Sequence, residues 1–478
     1  MFLGWENCVP PGLFTPTRRG SIGAPFPSAT WNGEIRQRHR RRACDGYHGE
    51  RRRRPAVGLF PKKYVFWTRK PVYDFQFMKI ALLHYSYWPE IGGVENVMRD
   101  QANMLRRAGH QVRVIAGVGL DAGEDYEFVL LPELAPDYAL NVSVRSVLER
   151  GQADKNFSQY RSVLVEALGA ALTGFDVTFV HNIFTMHFNL ALTQALHDLA
   201  PYHKMVAWTH DMVATNSDYA LPNPKQPPWN LMRTSSPDVT YVTVSERRAD
   251  EIKEHLKPLV KAHIVPDALD PRRLFGLTPE MRESLGSLDI AEREFIFLLP
   301  SRLLVRKNIE FALEIVKKLC EMGRNPLLLI TGAKTANNPT SERYGDFLRH
   351  TLPPELLSHV VFVSDFFVIQ DDTMRDLYLL ADCVLYPSKQ EGFGLPVIEA
   401  AFHRLPLWCS DVPAFWTTEG EGAFLLKDLA KLSDAVAWLE AQPTFRQQRK
   451  CRRLFDPASI YRIYYAPLLS SLTPQKSP

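Results

Sequence analysis

The sequence predicts an α/β protein made of two doubly wound parallel sheets. Three observations carry that prediction. Short apolar runs of strand length alternate with longer stretches of helical periodicity. The alternation occurs twice, with a polar stretch at residues 270–291 between the two series. In each series the first strand runs into a turn rich in glycine or in basic residues. Open parallel sheets bind ligands beyond the carboxyl ends of their strands, so such turns are where chemistry is expected.

The 478 residues leave room for two or three domains of roughly 100–200 residues each. A hydrophobic content of 45% with 23% charged residues suits a globular chain. The net charge of +4 averages two unlike parts. Residues 1–77 hold 15 Lys and Arg against 5 Asp and Glu, whereas 78–478 hold 42 against 48. The body is mildly acidic, which argues against a nucleic-acid partner.

The first segment, 1–77, is rich in proline and in arginine runs such as Arg51 to Arg54, and has no periodicity. It is expected to be disordered. Met78 precedes the first strand as an initiator would, so 1–77 is expected to be spurious upstream translation. A basic tail touching membrane or nucleic acid, or a transit peptide, are the alternatives.

From Met78 onward, apolar runs at 80–83, 112–116, 177–180, 205–208 and 239–244 read as buried parallel strands. Between the first two lies a helical pattern at 94–108, with Val94, Val97, Met98 and Leu105 on one face. Ser245 follows the fifth run as a helix cap. The second series has strands at 295–299, 327–331, 360–363, 383–386 and 406–409. Its first helix, 307–322, puts Ile309, Leu313, Val316 and Cys320 on one face and stops at Gly323. A last apolar helix is expected at 458–472. The expected domains are 78–285 and 286–457, with 458–478 a closing helical segment.

Six cysteines show neither Cys-x-x-Cys pairs nor zinc spacing, so they read as reduced and buried in a cytoplasmic protein. No apolar run reaches the ~18–20 residues of a membrane span, and no secretory signal is visible. Gly117-Val118-Gly119 matches a dinucleotide fingerprint only loosely and follows the wrong strand, so no NAD site is expected.

One motif outweighs the others. Glu391-Gly392-Phe393-Gly394-Leu395-Pro396-Val397-Ile398-Glu399 joins the strand at 383–386 to a helix predicted at 397–402. A helix start offers unpaired N–H groups and partial positive charge to a phosphate. Glycine lets backbone approach a ligand, and each carboxylate can accept hydrogen bonds from two hydroxyls. One loop could hold the sugar, diphosphate and ribose of a nucleotide sugar. Gly92-Gly93 opens the helix after the first strand in the same manner. Ser301-Arg302 with Lys307 follows the first strand of the second series. Trp208-Thr209-His210-Asp211 and His181-Asn182 end two strands of the first.

The glutamate loop closely resembles the donor site of retaining glycosyltransferases of family 4, and the resemblance runs from about Met78 to the C-terminus. It implies the GT-B fold: two facing Rossmann-like domains with a cleft between them and a closing helix that crosses back to the first. The first domain would bind the acceptor and the second the donor. Carried over residue by residue, Gly92, Gly93, Arg302, Lys307, Gly392, Phe393, Gly394, Leu395 and Glu399 bind the donor, Glu399 at the ribose. Glu391 contacts sugar hydroxyls, and His210 lies beside the sugar's primary hydroxyl. His181, Asn182 and Asp211 line the acceptor side. Arg306 is expected to face solvent.

No Asp-x-Asp occurs. Two cations in place of a metal fit a metal-independent transfer that needs no cofactor. In the turn Val265-Pro266-Asp267-Ala268, Asp and Ala replace the family's more usual Asn and Gly, which leaves that turn's role open.

The function expected is transfer of mannose or glucose from GDP-mannose or UDP-glucose to a hydroxyl of a soluble acceptor, with retention. A sugar-nucleotide epimerase of the same fold and a silent sugar-nucleotide binder are the alternatives. The proline-rich stretch at 222–229 is expected to shape the acceptor pocket. No motif selects the donor base, the acceptor or the oligomeric state.

Overall fold

The computed structural model describes residues 77–90, 92–285, 288–332, 339–415 and 422–473. Expectations for 1–76 and 474–478 lie outside these. Two all-parallel sheets are present. The first holds β1 (Lys79–Ser86), β2 (Gln111–Val118), β3 (Glu127–Leu130), β4 (Val177–His181), β5 (Met205–Thr209), β6 (Val239–Thr243) and β7 (His263–Ile264). Their order is β3-β2-β1-β4-β5-β6-β7. The second holds β8 (Phe295–Leu299), β9 (Pro326–Ile330), β10 (Val360–Phe362), β11 (Cys383–Tyr386), β12 (Leu407–Cys409) and β13 (Ala423–Leu425), in the order β10-β9-β8-β11-β12-β13.

Both sheets reverse direction of growth beside their first strand. Ile80 of β1 pairs with Val112 on one side and Val177 on the other. Cys383 of β11 pairs with Phe297 of β8. Such a reversal leaves a crevice at the carboxyl ends of the two central strands. Four of the sequence motifs start there.

The cores follow from a side-chain period of two. Ala81, Leu83 and Tyr85 of β1 join one apolar cluster, while Ile80 and Leu82 join the cluster on the opposite face. In β8, Phe295, Phe297 and Leu299 face one core, and Ile296 and Leu298 the other. Strands buried on both faces read as continuous apolar runs, which is why the ten central strands were visible in sequence. The short strands β3, β7 and β13 were not. β7 has two exposed residues and β13 three half-buried ones, so neither leaves an apolar signature.

The helix Gly93–Arg107 packs between β1 and β2 as its periodicity predicts. The helix expected at 307–322 is split. A short 3-10 turn, Val305–Lys307, ends at Asn308 in the left-handed region (φ 54°), and the α-helix runs Ile309–Glu321. Its buried stripe is Ile309, Ala312, Ile315, Val316 and Leu319. Leu313 and Cys320 are only partly buried, because the stripe centres one position away from the predicted face. Gly323 terminates it at φ 74°, with its N–H on the Cys320 carbonyl.

The closing segment is helical throughout, as Pro457–Ile460, a π-helical turn Tyr461–Tyr465, and Ala466–Leu472. Ile460, Tyr461, Tyr465, Leu468, Leu469 and Leu472 sit in the same apolar cluster as β1 and β2. Hydrogen bonds pin it to the first sheet's helices and turns, among them His110 to the Tyr461 hydroxyl at 2.7 Å, Gln101 to the Tyr465 hydroxyl at 2.7 Å, and the Lys204 ammonium to the Leu472 carbonyl. The stretch at 222–229 ends in Trp229, which is buried in the first domain's core, and Asn223 donates to the Gly151 carbonyl. Of this stretch only Pro228 and Trp229 are buried.

Among the described residues Cys383 and Cys409 are buried, Cys320 half-buried and Cys451 exposed. Burial pushes the Cys383 thiol well up, so it is inert. Among the described residues no helix is long and apolar enough to cross a membrane.

Candidate active site

The second sheet's crevice is built around Glu391. β8 delivers the chain to the 3-10 turn Val305–Lys307, and the left-handed Asn308 aims that turn back across β11. Lys307 is buried there, and its ammonium donates to the Glu391 carboxylate and, at 2.8 Å, to the Tyr386 hydroxyl. Arg306 was expected to face solvent. It is half exposed, yet its guanidinium donates to the Gln390 carbonyl at 2.9 Å and lies 3.3 Å from Glu391 Oε2. Both cations therefore converge on one carboxylate. Burial alone would raise the Glu391 pKa. The hydrogen bond and charge of Lys307, with the hydroxyls of Ser388 and Tyr386 nearby, outweigh it and lower the carboxyl below its ordinary range. Burial lowers the Lys307 ammonium, with Glu391 acting against that shift. Arg302, just before that turn, is exposed.

Gly394 caps the helix Leu395–Phe402 at φ 89°, and a Cβ there would lie 2.6 Å from the Phe415 ring. Conformation and space both demand glycine. Gly392 differs: it is exposed and a Cβ on it would meet nothing within 4 Å. Phe393 (53%) and Leu395 (60%) are exposed large apolar side chains beside it. This loop presents open backbone at a helix start that has no side-chain cap.

Glu399 lies one helical turn further on and has a different partner. The Tyr378 hydroxyl donates to its carboxylate at 2.5 Å. Tyr378 is itself stacked on His403 with ring centroids 4.5 Å apart, and His403 Nδ1 meets the Glu399 carbonyl at 2.8 Å. Tyr378 and His403 were not foreseen. Tyr378 sits on the separate helix Asp371–Leu380, and no local pattern links it to the loop.

In the first sheet, β1 ends at Ser86 and the helix starts after Gly92, whose backbone is extended (φ −144°). The Glu95 carboxylate folds back over this turn. Its Oε1 accepts from the Ser86 hydroxyl at 2.5 Å, and a Cβ on Gly92 would fall 2.0 Å from its Oε2. The turn expected to offer bare N–H groups to phosphate is thus covered by an acid of its own.

The histidines form a chain. His181 ends β4, wholly buried, with Nδ1 3.0 Å from His210 Nε2 and Nε2 2.9 Å from Gln101 Oε1. The two rings stack with centroids 5.3 Å apart. His84 Nδ1 lies 2.9 Å from the His181 carbonyl oxygen. Burial pushes His84 down to about 4 and His181 well below its ordinary value, so both are neutral at pH 7. His210 Nδ1 faces Asp267 Oδ2 at 3.6 Å. Asn182, left-handed at φ 59°, is buried and accepts the backbone N–H groups of His210 (2.8 Å) and Asp211 (3.0 Å) on its side-chain oxygen.

His181 and Asn182 were expected to line the acceptor side. Both are buried, with His181 Nδ1 on the His210 ring and the Asn182 side-chain oxygen on the backbone of 210 and 211. Asp211 is half exposed, 3.6 Å from Arg248. A hollow of about 450 Å³ lies beside β2, lined by Gly117, Val118, Gly119, Leu130 and Tyr138 among others. It shares no lining residue with the histidine chain or the glutamate loop. Gly117 itself is a packing glycine, since a Cβ would meet the Ala135 nitrogen at 2.3 Å.

Two family profiles match the chain. Residues 91–273 match "Glycosyltransferase Family 4", and residues 280–453 match "Glycosyl transferases group 1". Together they take in about three quarters of the chain. Mannosylglucosylglycerate synthase of Petrotoga mobilis is 23% identical over 436 residues, covering 81% of this chain and 95% of that protein. The enzyme of the same name from Thermotoga maritima is 23% identical over 424 residues, covering 80% and 93%. Among solved structures, sucrose-phosphate synthase from Thermosynechococcus elongatus aligns with 83% of this chain and 98% of its own, at 18% identity and a TM-score of 0.33. With both halves matched and two Rossmann-like parallel-sheet domains in place, the chain belongs to the group 1, family 4 glycosyltransferases of the GT-B fold and is a glycosyltransferase.

Proposed function

We propose that the protein transfers a hexose, mannose or glucose, from a nucleoside-diphosphate donor to a hydroxyl of a small sugar-like acceptor, with retention and without a metal or other cofactor. The observation that carries this is the meeting of Lys307, Arg306 and Glu391 beside an open glycine loop at the second sheet's crevice. In the transition state the leaving diphosphate gains negative charge, and fixed cations stabilise it. Lys307 and the exposed Arg302 are the groups proposed to supply this. Glu391 orients sugar hydroxyls and Glu399 the ribose. GDP-mannose and UDP-glucose are the proposed donors, and the names of the two relatives favour a glycoside of an organic acid as acceptor.

No protein nucleophile is evident in the sequence motifs of the site. We therefore favour a front-face displacement, in which a departing phosphate oxygen takes the acceptor's proton. Glu95 would leave the Gly92 turn when the diphosphate arrives.

The test is thermal-shift stabilisation by GDP-mannose, UDP-glucose and the free diphosphates, in chelator. Binding to the native state must raise its stability. A shift with one donor, lost in Glu399→Ala, is expected. No shift with either donor at millimolar concentration would sink the reading.

A further inference from the structure

The hollow beside β2 belongs to neither of the clusters described above. Its volume of about 450 Å³ falls within the roughly 300–1,000 Å³ of small-molecule sites. It is lined by Gly117 and Val118 at the end of β2, by Leu130 at the end of β3, and by Tyr138 and Ala139 at the start of the helix Ala139–Leu148. It therefore lies at the carboxyl edge of the first sheet, the edge where open parallel sheets take their ligands. Val118 is paired in register with Ser86 of β1. The Ser86 hydroxyl holds the Glu95 carboxylate that covers the Gly92 turn. Neighbouring strands are about 4.8 Å apart, so the hollow begins one strand spacing from the anchor of that turn.

The lining selects among ligands. Asp137, exposed at the rim, is charged, and among the described residues no lysine or arginine lines the hollow. A carboxylate without a cation in the same lining repels phosphates and acids, but it accepts hydrogen bonds from hydroxyls at both oxygens. Tyr138 adds an aromatic ring, stacked on Tyr160 with centroids 5.9 Å apart. Tyr160 is itself buried, donates to the Glu133 carbonyl and accepts from Asn189 Nδ2 at 2.8 Å. A ring supported by packing and hydrogen bonds behind it is held ready for a ligand. Gly119, at φ 145°, brings no side chain into the space. A pyranose ring has an apolar C–H face and a rim of hydroxyls, and an aromatic ring beside a carboxylate matches both.

We propose that this hollow is the subsite for the neutral sugar ring of the acceptor. The inference rests on the transferase reading and deepens it. Of a glycoside of an organic acid, the ring enters the hollow, and the acid stays outside because no lining group pairs with it. The two substrates are thereby sorted by charge. The diphosphate goes to Lys307 and Arg302 at the second sheet, and the uncharged ring goes to Asp137 and Tyr138 at the first.

The test titrates the full chain, without donor, with methyl α-glucoside and methyl α-mannoside as neutral probes and glycerate as the acid probe. Methyl resonances of Val118, Leu130 and Ala139 should move with at least one glycoside at millimolar concentration and stay still with glycerate. Asp137→Ala should weaken glycoside binding about tenfold. Ala139 is exposed, so Ala139→Trp should fill the hollow and abolish the shifts at Val118 and Leu130 while the melting temperature holds. Resonances that respond to neither glycoside, that respond equally to glycerate, or that still move in Ala139→Trp would overturn the subsite. In turnover with glucosylglycerate as acceptor, Asp137→Ala should raise acceptor KM about tenfold and leave donor KM within about twofold. Stabilisation by a donor with unmoved methyl resonances would strike the subsite alone. Absence of donor stabilisation would strike the transferase reading, and the glycoside titration would still decide whether the hollow holds a ring.

Discussion

At the crevice of the first sheet, β1 and β4 deliver His84 and His181, neutral rings held by amides, carbonyls and each other. At the matching place in the second sheet, β8 and β11 lead to Lys307, Arg306 and Glu391, which are held by charge. The two crevices share a topology and differ in currency. A neutral network inside a domain needs every donor matched to an acceptor, and it tolerates burial once that is done. An ion-paired cluster tolerates burial less well and sits where a charged ligand can replace one partner. The first arrangement suits orienting a sugar, and the second suits a diphosphate that arrives and departs.

The first domain also leans on the closing segment in a way the second does not, and deleting 457–478 should break the comparison most severely. Ile460, Leu468, Leu469 and Leu472 are buried against β1 and β2. At about 1.5–3 kcal/mol each they contribute roughly 6–12 kcal/mol, comparable with the 5–15 kcal/mol stability of an ordinary domain. The truncated chain should lose the first domain's cooperative unfolding transition in calorimetry. A truncated protein that unfolds at the wild-type temperature would contradict the packing.

Next in size is Glu391→Gln. It keeps the shape of the second crevice but removes the charge that Lys307 and Arg306 share. Diphosphate release should fall by roughly 10²-fold, about 3 kcal/mol, with the melting temperature little changed. The same swap at Glu95 should cost far less turnover, because that carboxylate is expected to move aside. Equal losses would erase the distinction between the two crevices.

A third prediction concerns the chain between them. Asp270 caps the short helix Pro271–Leu274 and pairs with Arg272 (2.8 Å) and Arg107 (2.8 Å). Burial would raise its pKa, but the two arginines outweigh it and lower the carboxyl to about 2 from 3.8. As pH falls, the unfolded chain takes up this proton first. The stabilisation is therefore whole above about pH 4 and is lost as pH drops toward 2, about 2 kcal/mol in all. Urea unfolding of Asp270→Asn should lack that part of the acid dependence. A variant as acid-sensitive as the wild type would assign the loss to other carboxylates.

The smallest effect should come from Tyr378→Phe. Losing its hydroxyl frees the Glu399 carboxylate, and donor affinity by calorimetry should weaken by about 1 kcal/mol. No change would mean that Glu399 is oriented well enough by its own helix.

Much of this was legible in the amino-acid order. Ten strands buried on both faces, two helix starts with glycine, the Gly323 stop and the glutamate loop are local, and local sterics and periodicity write them directly into sequence. The short edge strands β3, β7 and β13 were not legible, because half-buried or exposed strands need no apolar run. The split at Asn308 was missed for a related reason: the helical pattern continues through it, and only the positive φ shows the break.

The site divides in the same way. Sequence alone determined which residues are able to accept, donate or carry charge: Glu391, Glu399, Lys307, His181 and His210 are what they are in any fold. Tertiary structure decided who meets whom. It let the exposed Arg306 reach Glu391 from the surface, buried His181 and Asn182, and set Tyr378 on Glu399 from another helix. It also brought Tyr465 to Gln101 across 364 positions of chain. Those pairings depend on distances between elements that are far apart in sequence. They are set when the sheets close and side chains compete for the few partners in reach, and no short window of residues records the outcome of that competition.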